Sequence, residues 1–359
     1  MFTRRTFVPL LALSLLASCS KPPSPPSTSS PGSSVQSAKA PPSPAPVHAI
    51  SSNANPVQSE TAVVMHNVIL NERPGLQLRV RWLRGQMHPT RTGVIPSFDE
   101  PSSFILNIQA GIIATSLSDI SGILNQGLLK GSPLGNVSLA AEGQQLKLKG
   151  TLHKGVPLPI EMVSDVSAAP DGRIHLHMVK LRVLKLPVKG LVQSLHINVA
   201  DLIGAQSADT VQVSGDEIYI EAEHILPAPA IRGTLTDVHI AAKTGDLVSV
   251  FGNGRPEAHQ VKQWRNFIRL EGGTVNLGKL TMSQADIFLI DASNDDWFSF
   301  DLTRYQEQLV NGRIQMTPQA GLRIFMPDIE KVPRTEANRR IMEEWMKDRN
   351  LPPPSGLLQ

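Results

Sequence analysis

Residues 63–83 read VVMHNVILNERPGLQLRVRWL, and the fold turns on how this stretch is read. Two apolar-rich segments, Val63 to Leu70 and Leu76 to Leu83, flank the cluster Asn71-Glu72-Arg73-Pro74-Gly75. Pro and Gly among polar residues punctuate a chain, so the cluster predicts a turn. In the second segment Leu76, Leu78, Val80 and Trp82 alternate with Gln77, Arg79, Arg81 and Leu83. A period of two gives one apolar and one basic face, which is the pattern of a half-buried strand.

The same period runs downstream. Phe104, Leu106, Ile108 and Ala110 keep step through Phe104 to Ile113. The period then changes: Leu117, Ile120, Leu124 and Leu128 fall on one helical face between Ser116 or Ser118, either able to cap the start, and Gly131, able to close the end. Short strands follow from Asn136. Leu146, Leu148 and Leu152 alternate with Lys147, Lys149 and Thr151; Val156 to Val163 comes next; and Asp171-Gly172 marks a turn before Ile174 to Val179. Leu181 to Val199 is apolar with Arg182, Lys185 and Lys189 interleaved, and Pro187 and Gly190 demand an edge, a bulge or a bend. Val211 to Val213, Glu217 to Glu223 and Ile231 to Ala242 extend the series. The expected fold is α+β and mostly β: a long curved antiparallel sheet packed with one amphipathic helix, over residues 61–255.

Residues 256–333 are expected to continue this β-rich fold or to form a second subdomain. Glu271 to Met282 predicts a strand pair bent at glycines, Ala285 to Asp291 a buried strand, Asp301 to Gly312 a short helix, and Gly321 to Pro327 a closing strand. Trp297, Phe298 and Phe300 supply bulky core mass. Residues 334–359 predict a charged helix, docked by Ile341, Trp345 and Met342, and a Pro-rich tail.

The chain carries few marks of chemistry. It has no Gly-x-Ser-x-Gly elbow, Walker loop or His-Glu-x-x-His. Gly252-Asn253-Gly254 lacks the third glycine of a nucleotide loop and predicts a turn. His175 and His177 share one face of a strand, a spacing a metal can use, but no further ligand follows at a recognisable interval. Asp286, Asp291, Asp295, Asp296 and Asp301 do not follow the twelve-residue calcium pattern and read as solvated turns and strand ends. No cofactor and no metal are expected, and no motif announces an enzyme.

The N-terminus is the most explicit part. MFTRRTFVPLLALSLLASCS has a basic start at Arg4 and Arg5, an apolar run from Phe7 to Leu16 and small residues before Cys19. That is the layout of a secretory signal over residues 1–18, too short for a membrane span of roughly 20 apolar residues. Thr3 to Phe7 also resembles a twin-arginine export signal. Cys19 is the only cysteine, so no intrachain disulfide can form. Residues 19–60 are dominated by Pro, Ser and Ala and bury too little to offset chain entropy. Extended at about 3.1 Å per residue, such a tether reaches on the order of 120 Å. Without Arg4 and Arg5 the formal charge falls from +3 to +1, and aromatic residues make up 4%, so neither charge nor stacking points to a nucleic-acid partner.

Leu16-Ala17-Ser18-Cys19 resembles the lipobox of bacterial lipoproteins. That resemblance implies cleavage before Cys19, diacylglycerol on its sulfur and an acylated N-terminus, hence a membrane partner reached through lipidated Cys19. Ser20 in place of Asp implies the periplasmic side of the outer membrane. The run from Phe104 to Gly252, one amphipathic helix among many strands, is similar in architecture to tubular lipid-binding envelope proteins. Residues 272–327 also resemble a domain type of uncharacterised bacterial envelope proteins, which implies location alone. The apolar stripe Leu117, Ile120, Leu124 and Leu128 either finishes the core against a sheet or covers one side of an apolar channel, and the favoured expectation is a lipid-anchored envelope protein with an apolar groove there for a lipid or other hydrophobic ligand. The alternative is a structural or assembly lipoprotein that binds an envelope protein by strand addition. An envelope hydrolase with an unfamiliar site is the third reading.

Overall fold

A computed structural model describes residues 60–127, 129–154, 156–184, 210–224, 226–256, 263–336 and 340. Cys19, the tether, Leu128, Lys185, Pro187, Lys189, Gly190 and the helix expected around Ile341, Met342 and Trp345 lie outside these residues.

The opening stretch folds as expected, into β1 (Thr61–Arg73) and β2 (Leu76–Pro89), with β3 (Phe104–Thr115) after a loop. The chain then forms α1 (Leu117–Gln126) and the meander β4 (Leu134–Glu142), β5 (Gln145–Lys154), β6 (Val156–Ala168) and β7 (Ile174–Val183). Shorter strands follow: β8 (Val211–Ser214), β9 (Glu217–Ile220), β10 (Ala230–Arg232), β11 (Leu235–Ile240) and β12 (Leu247–Phe251). The last third holds β13 (Phe267–Leu277), β14 (Leu280–Asp291), β15 (Phe298–Asp301), α2 (Tyr305–Val310), β16 (Arg313–Met316) and β17 (Leu322–Met326).

The protein is thus mostly β with few helices, and its strands divide between two sheets. The larger has eleven strands along the path β11-β12-β3-β2-β1-β13-β14-β17-β16, with β10 beside β3 and β15 beside β1. Most pairs are antiparallel; β10 with β3, β15 with β1, and β14 with β17 are parallel. The smaller sheet, β4-β5-β6-β7-β9-β8, is antiparallel throughout. Because β13 pairs with β1, the strands from β13 to β17 continue the first sheet.

Two long strands each divide one edge between two neighbours. β1 pairs with β13 through Ala62–His66 and with β15 through Val68–Asn71. The change falls at Asn67, whose φ of 49° interrupts regular extension. Its side-chain amide donates to the Arg265 carbonyl at 3.4 Å and to Asn266 Oδ1 at 3.3 Å. β3 pairs with β10 at Ile105–Asn107 and with β12 at Gly111–Thr115. Between these, a bulge in the β2–β3 ladder leaves Gln109 unopposed, and a second bulge leaves Arg81 unopposed. Each bulge moves the apolar face by one residue. Trp82 and Leu83 are therefore both buried, where plain alternation would send Leu83 outward.

The core is continuous from β1, β2 and β3 through β13 and β14 to the inner face of the smaller sheet. Phe298, Phe300 and Tyr305 are among its largest fully buried side chains, and Phe267 packs in a second cluster with Phe288 and Ile290. Burying each such apolar group contributes about 1.5–3 kcal/mol. β10 and β11, expected as one strand, are broken at Gly233. A Cβ there would meet the Ile108 carbonyl oxygen and the Phe251 ring, both at 2.8 Å, so only glycine lets the chain pass.

Candidate functional site: an apolar cavity beneath the amphipathic helix

Helix α1 starts where its sequence says it should. The Ser116 hydroxyl accepts from the Asp119 amide at 3.1 Å, the bond of an N-cap. The Asp119 carboxylate suits the positive end of the helix and accepts from the Gln77 amide at 2.9 Å, fixing the helix start to β2. The helix ends earlier than expected. It stops at Gln126, and the Gly127 amide, outside the helix, donates to the Ile123 carbonyl at 2.9 Å. Gly127, at φ −119° and ψ −91°, breaks the helical repeat, and Gly131 turns the chain further on with a φ of 83°.

Polar side chains dock α1 on the edge of the smaller sheet. Ser121 Oγ donates to the Leu117 carbonyl at 2.7 Å and accepts from the Leu139 amide of β4 at 2.8 Å. The Asn125 side chain donates to the Val137 carbonyl at 2.7 Å and accepts from the Val137 amide at 2.8 Å. One side chain thus satisfies both backbone groups of an edge residue, as a neighbouring strand would. The helix buries Leu117, Ser121 and Ile123 and leaves Ile120 and Leu124 only partly covered.

Ile120 and Leu124 face a cavity of about 390 Å³, together with Leu117. Opposite them, Leu78 of β2, Ile113 of β3 and Leu247 and Phe251 of β12 form a wall from the larger sheet. Arg79 and Asp246, the sequence neighbours of Leu78 and Leu247, form an ion pair at 3.0 Å that ties this wall together. The floor belongs to the smaller sheet. Leu146 and Leu148 of β5, Leu176 of β7 and Ile220 of β9 point inward, while Lys147 and Lys149 point outward to Glu142 and Glu161. The lining is overwhelmingly aliphatic; Thr115 and Ser249 are the hydroxyl side chains in it.

Charged residues gather where the β6–β7 turn, the end of β9 and β10 meet at the rim: Asp171, Arg173, Glu221, Glu223 and Arg232. They are of both signs, and four of them form two ion pairs. Arg173 donates to Asp171 at 2.7 and 2.8 Å and to Gln212 at 2.9 Å, and it covers the Tyr219 ring at 4.9 Å. Hydrogen bonds from Arg173 hold the Asp171 carboxyl below the usual carboxylate range. Arg232 Nε donates to Glu223 at 2.6 Å.

Of the four helix residues expected to wall a groove, Leu117, Ile120 and Leu124 line the cavity; Leu128 lies outside the described residues. Leu146 and Leu148 show in the sequence as one face of a strand. Their convergence with Ile113, Leu176 and Phe251 depends on strand pairings that no local pattern reveals.

His175 and His177 lie on the opposite face of β7 from Ile174 and Leu176. They share one carboxylate: His175 Nε2 lies 2.5 Å and His177 Nδ1 2.9 Å from the Glu217 oxygens. Those bonds hold the Glu217 carboxyl below its ordinary range. Among the described residues no group of three or more His, Cys, Asp or Glu side chains has the arrangement of a metal site. The acidic residues of the last third are engaged structurally: Asp286 with Arg323, Asp295 with Lys331, and Asp296 with Arg265. Among the described residues no helix is long and apolar enough to cross a membrane.

No family model, no curated protein and no solved structure matches the chain.

Proposed function

We propose that the protein is a lipoprotein of the bacterial envelope that holds a lipid or another hydrophobic ligand in the cavity between α1 and the two sheets. The observation that carries this reading is the cavity itself. Close-packed interiors leave few voids larger than a water molecule. A space of about 390 Å³ with an aliphatic lining falls instead within the roughly 300–1,000 Å³ range of ligand pockets. Cys19 is the acyl acceptor in this reading, and the Pro/Ser-rich segment lets the ligand-binding part work at a distance from the outer membrane.

The full chain carrying Cys19→Ser, which removes the anchor, tests the ligand. Expressed in a bacterial host, purified without detergent and examined by native mass spectrometry, it is expected to carry co-purifying lipid. Leu148→Trp, which fills the cavity, is expected to lose that lipid while remaining folded. A folded parent chain that carries no lipid and takes none from added vesicles would overturn the reading. Mass spectrometry of the N-terminus tests the anchor: the natural chain is expected to begin at Cys19 and to carry acyl groups there, and the Cys19→Ser chain to carry none.

A second reading, an assembly lipoprotein, draws on β16. This strand closes one edge of the larger sheet, and Ile314 and Met316 on it are 55% and 74% exposed. Exposed apolar residues on an edge strand suit pairing with another chain. Crosslinking in cells through a photoreactive residue at Met316 is expected to trap an envelope protein if this is the role, and no adduct if it is not.

A further inference from the structure

Resting on the lipid-binding reading above, we propose that the cavity takes an amphiphile with one hydrocarbon chain and a zwitterionic headgroup. The headgroup's anionic part meets Arg173 and Arg232, and its cationic part meets Asp171 and Glu223.

The chain number follows from the dimensions. Along β6 the lining runs from the level of Ala168, paired with Ile174, to that of Met162, paired with Leu148. Six residues of strand span roughly 20 Å. A run of that length with about 390 Å³ of space suits a single extended hydrocarbon chain.

Orientation follows from where the charges lie. The rim residues sit on the β6–β7 turn, after β9 and on β10, all at the Ile174 end, whereas the far end near Leu124, Leu139 and Leu148 is aliphatic. An apolar chain therefore enters first and leaves its headgroup at the rim.

Headgroup type follows from the pairing. Each rim arginine already holds a carboxylate, Arg173 with Asp171 and Arg232 with Glu223. A purely anionic headgroup would engage an arginine and leave the displaced carboxylate facing it. A purely cationic one would do the reverse. A phosphate and an ammonium a few bonds apart can engage both members of an opened pair, so no charge is left without a partner.

The test uses the full Cys19→Ser chain and isothermal titration with palmitoyl lysophosphatidylethanolamine, palmitate, palmityl trimethylammonium and dipalmitoyl phosphatidylethanolamine. A one-to-one complex with the lysophospholipid is expected, at least about tenfold tighter than with the other three. Arg232→Gln and, separately, Arg173→Gln are expected to weaken lysophospholipid binding about tenfold with an unchanged melting temperature. Equal binding of all single-chain probes, or no effect of either substitution in a folded chain, overturns this proposal and leaves the lipid-binding reading standing. Tighter binding of the two-chain lipid does the same. If no probe binds, both fail.

Discussion

Glu72 is the residue whose environment departs furthest from what its type prefers. It occupies the unopposed position in the β1–β2 ladder, between Asn71 and Arg73, and is 3% exposed. Among the described residues neither of its carboxylate oxygens has a hydrogen-bond partner. Burial pushes its carboxyl up to about 8, opposed by the nearby Arg73 charge. The unfolded chain releases this proton near 4.5, the folded chain near 8, so between these values the folded state binds it more tightly. Its contribution to stability is complete below pH 4.5, falls as pH rises toward 8 and is constant above. Glu72→Gln removes the ionisable group and keeps the shape. Thermal melts of both chains should show the variant gaining on the parent from pH 5 to pH 8, by a few degrees or more in melting temperature. Parallel pH profiles would show that Glu72 is solvated in the folded chain.

At the scale of elements, the link between α1 and β4 is what holds Ile120 and Leu124 over the cavity. Asn125→Ala removes both partners of Val137 and leaves a backbone amide and carbonyl at the sheet edge unpaired. Each buried unsatisfied group costs about 1–3 kcal/mol. A loss of about 2 kcal/mol is expected in urea unfolding, with faster hydrogen exchange at the Val137 amide and little change at Leu158 in the sheet centre; unchanged exchange at Val137 would refute the clamp. How legible such elements were depended on whether their signal was local. β1, β2 and the turn between them follow from alternation and Pro74-Gly75, and the start of α1 follows from Ser116. β15 and β16 were not legible, because four residues carry almost no periodicity and their place comes from partners, Val68 to Asn71 for one and Leu322 to Phe325 for the other. The bulges at Arg81 and Gln109 were equally hidden, since a shift of phase exists only between two strands. Of the site, the helix wall could be read from its apolar stripe. The floor could be read only as separate strand faces, whose meeting was not visible.

Over the whole molecule, a ligand that fills the cavity should tie α1, β5, β7 and β12 together. Anything that binds only the folded state stabilises it, by about 2.7 kcal/mol at a hundred times its dissociation constant. Titrating palmitoyl lysophosphatidylethanolamine should therefore raise the melting temperature in a saturable way for the parent chain and leave Leu148→Trp unmoved; a rise of equal size in both would place binding elsewhere. The divided edge of β1 has a consequence of another kind. The contacts of Asn67 with Arg265 and Asn266 close loops of 198 and 199 residues, and the rest of that edge waits for Phe298 to Asp301. Such distant pairings slow folding, because the entropy of closing a long loop is spent before any contact repays it. Synthesis runs from the N-terminus, so β1 is the first of the described strands to be made, pairs early with β2 on one edge, and is among the last to be paired on both. Until the final third arrives, one of its edges is open to the wrong neighbour.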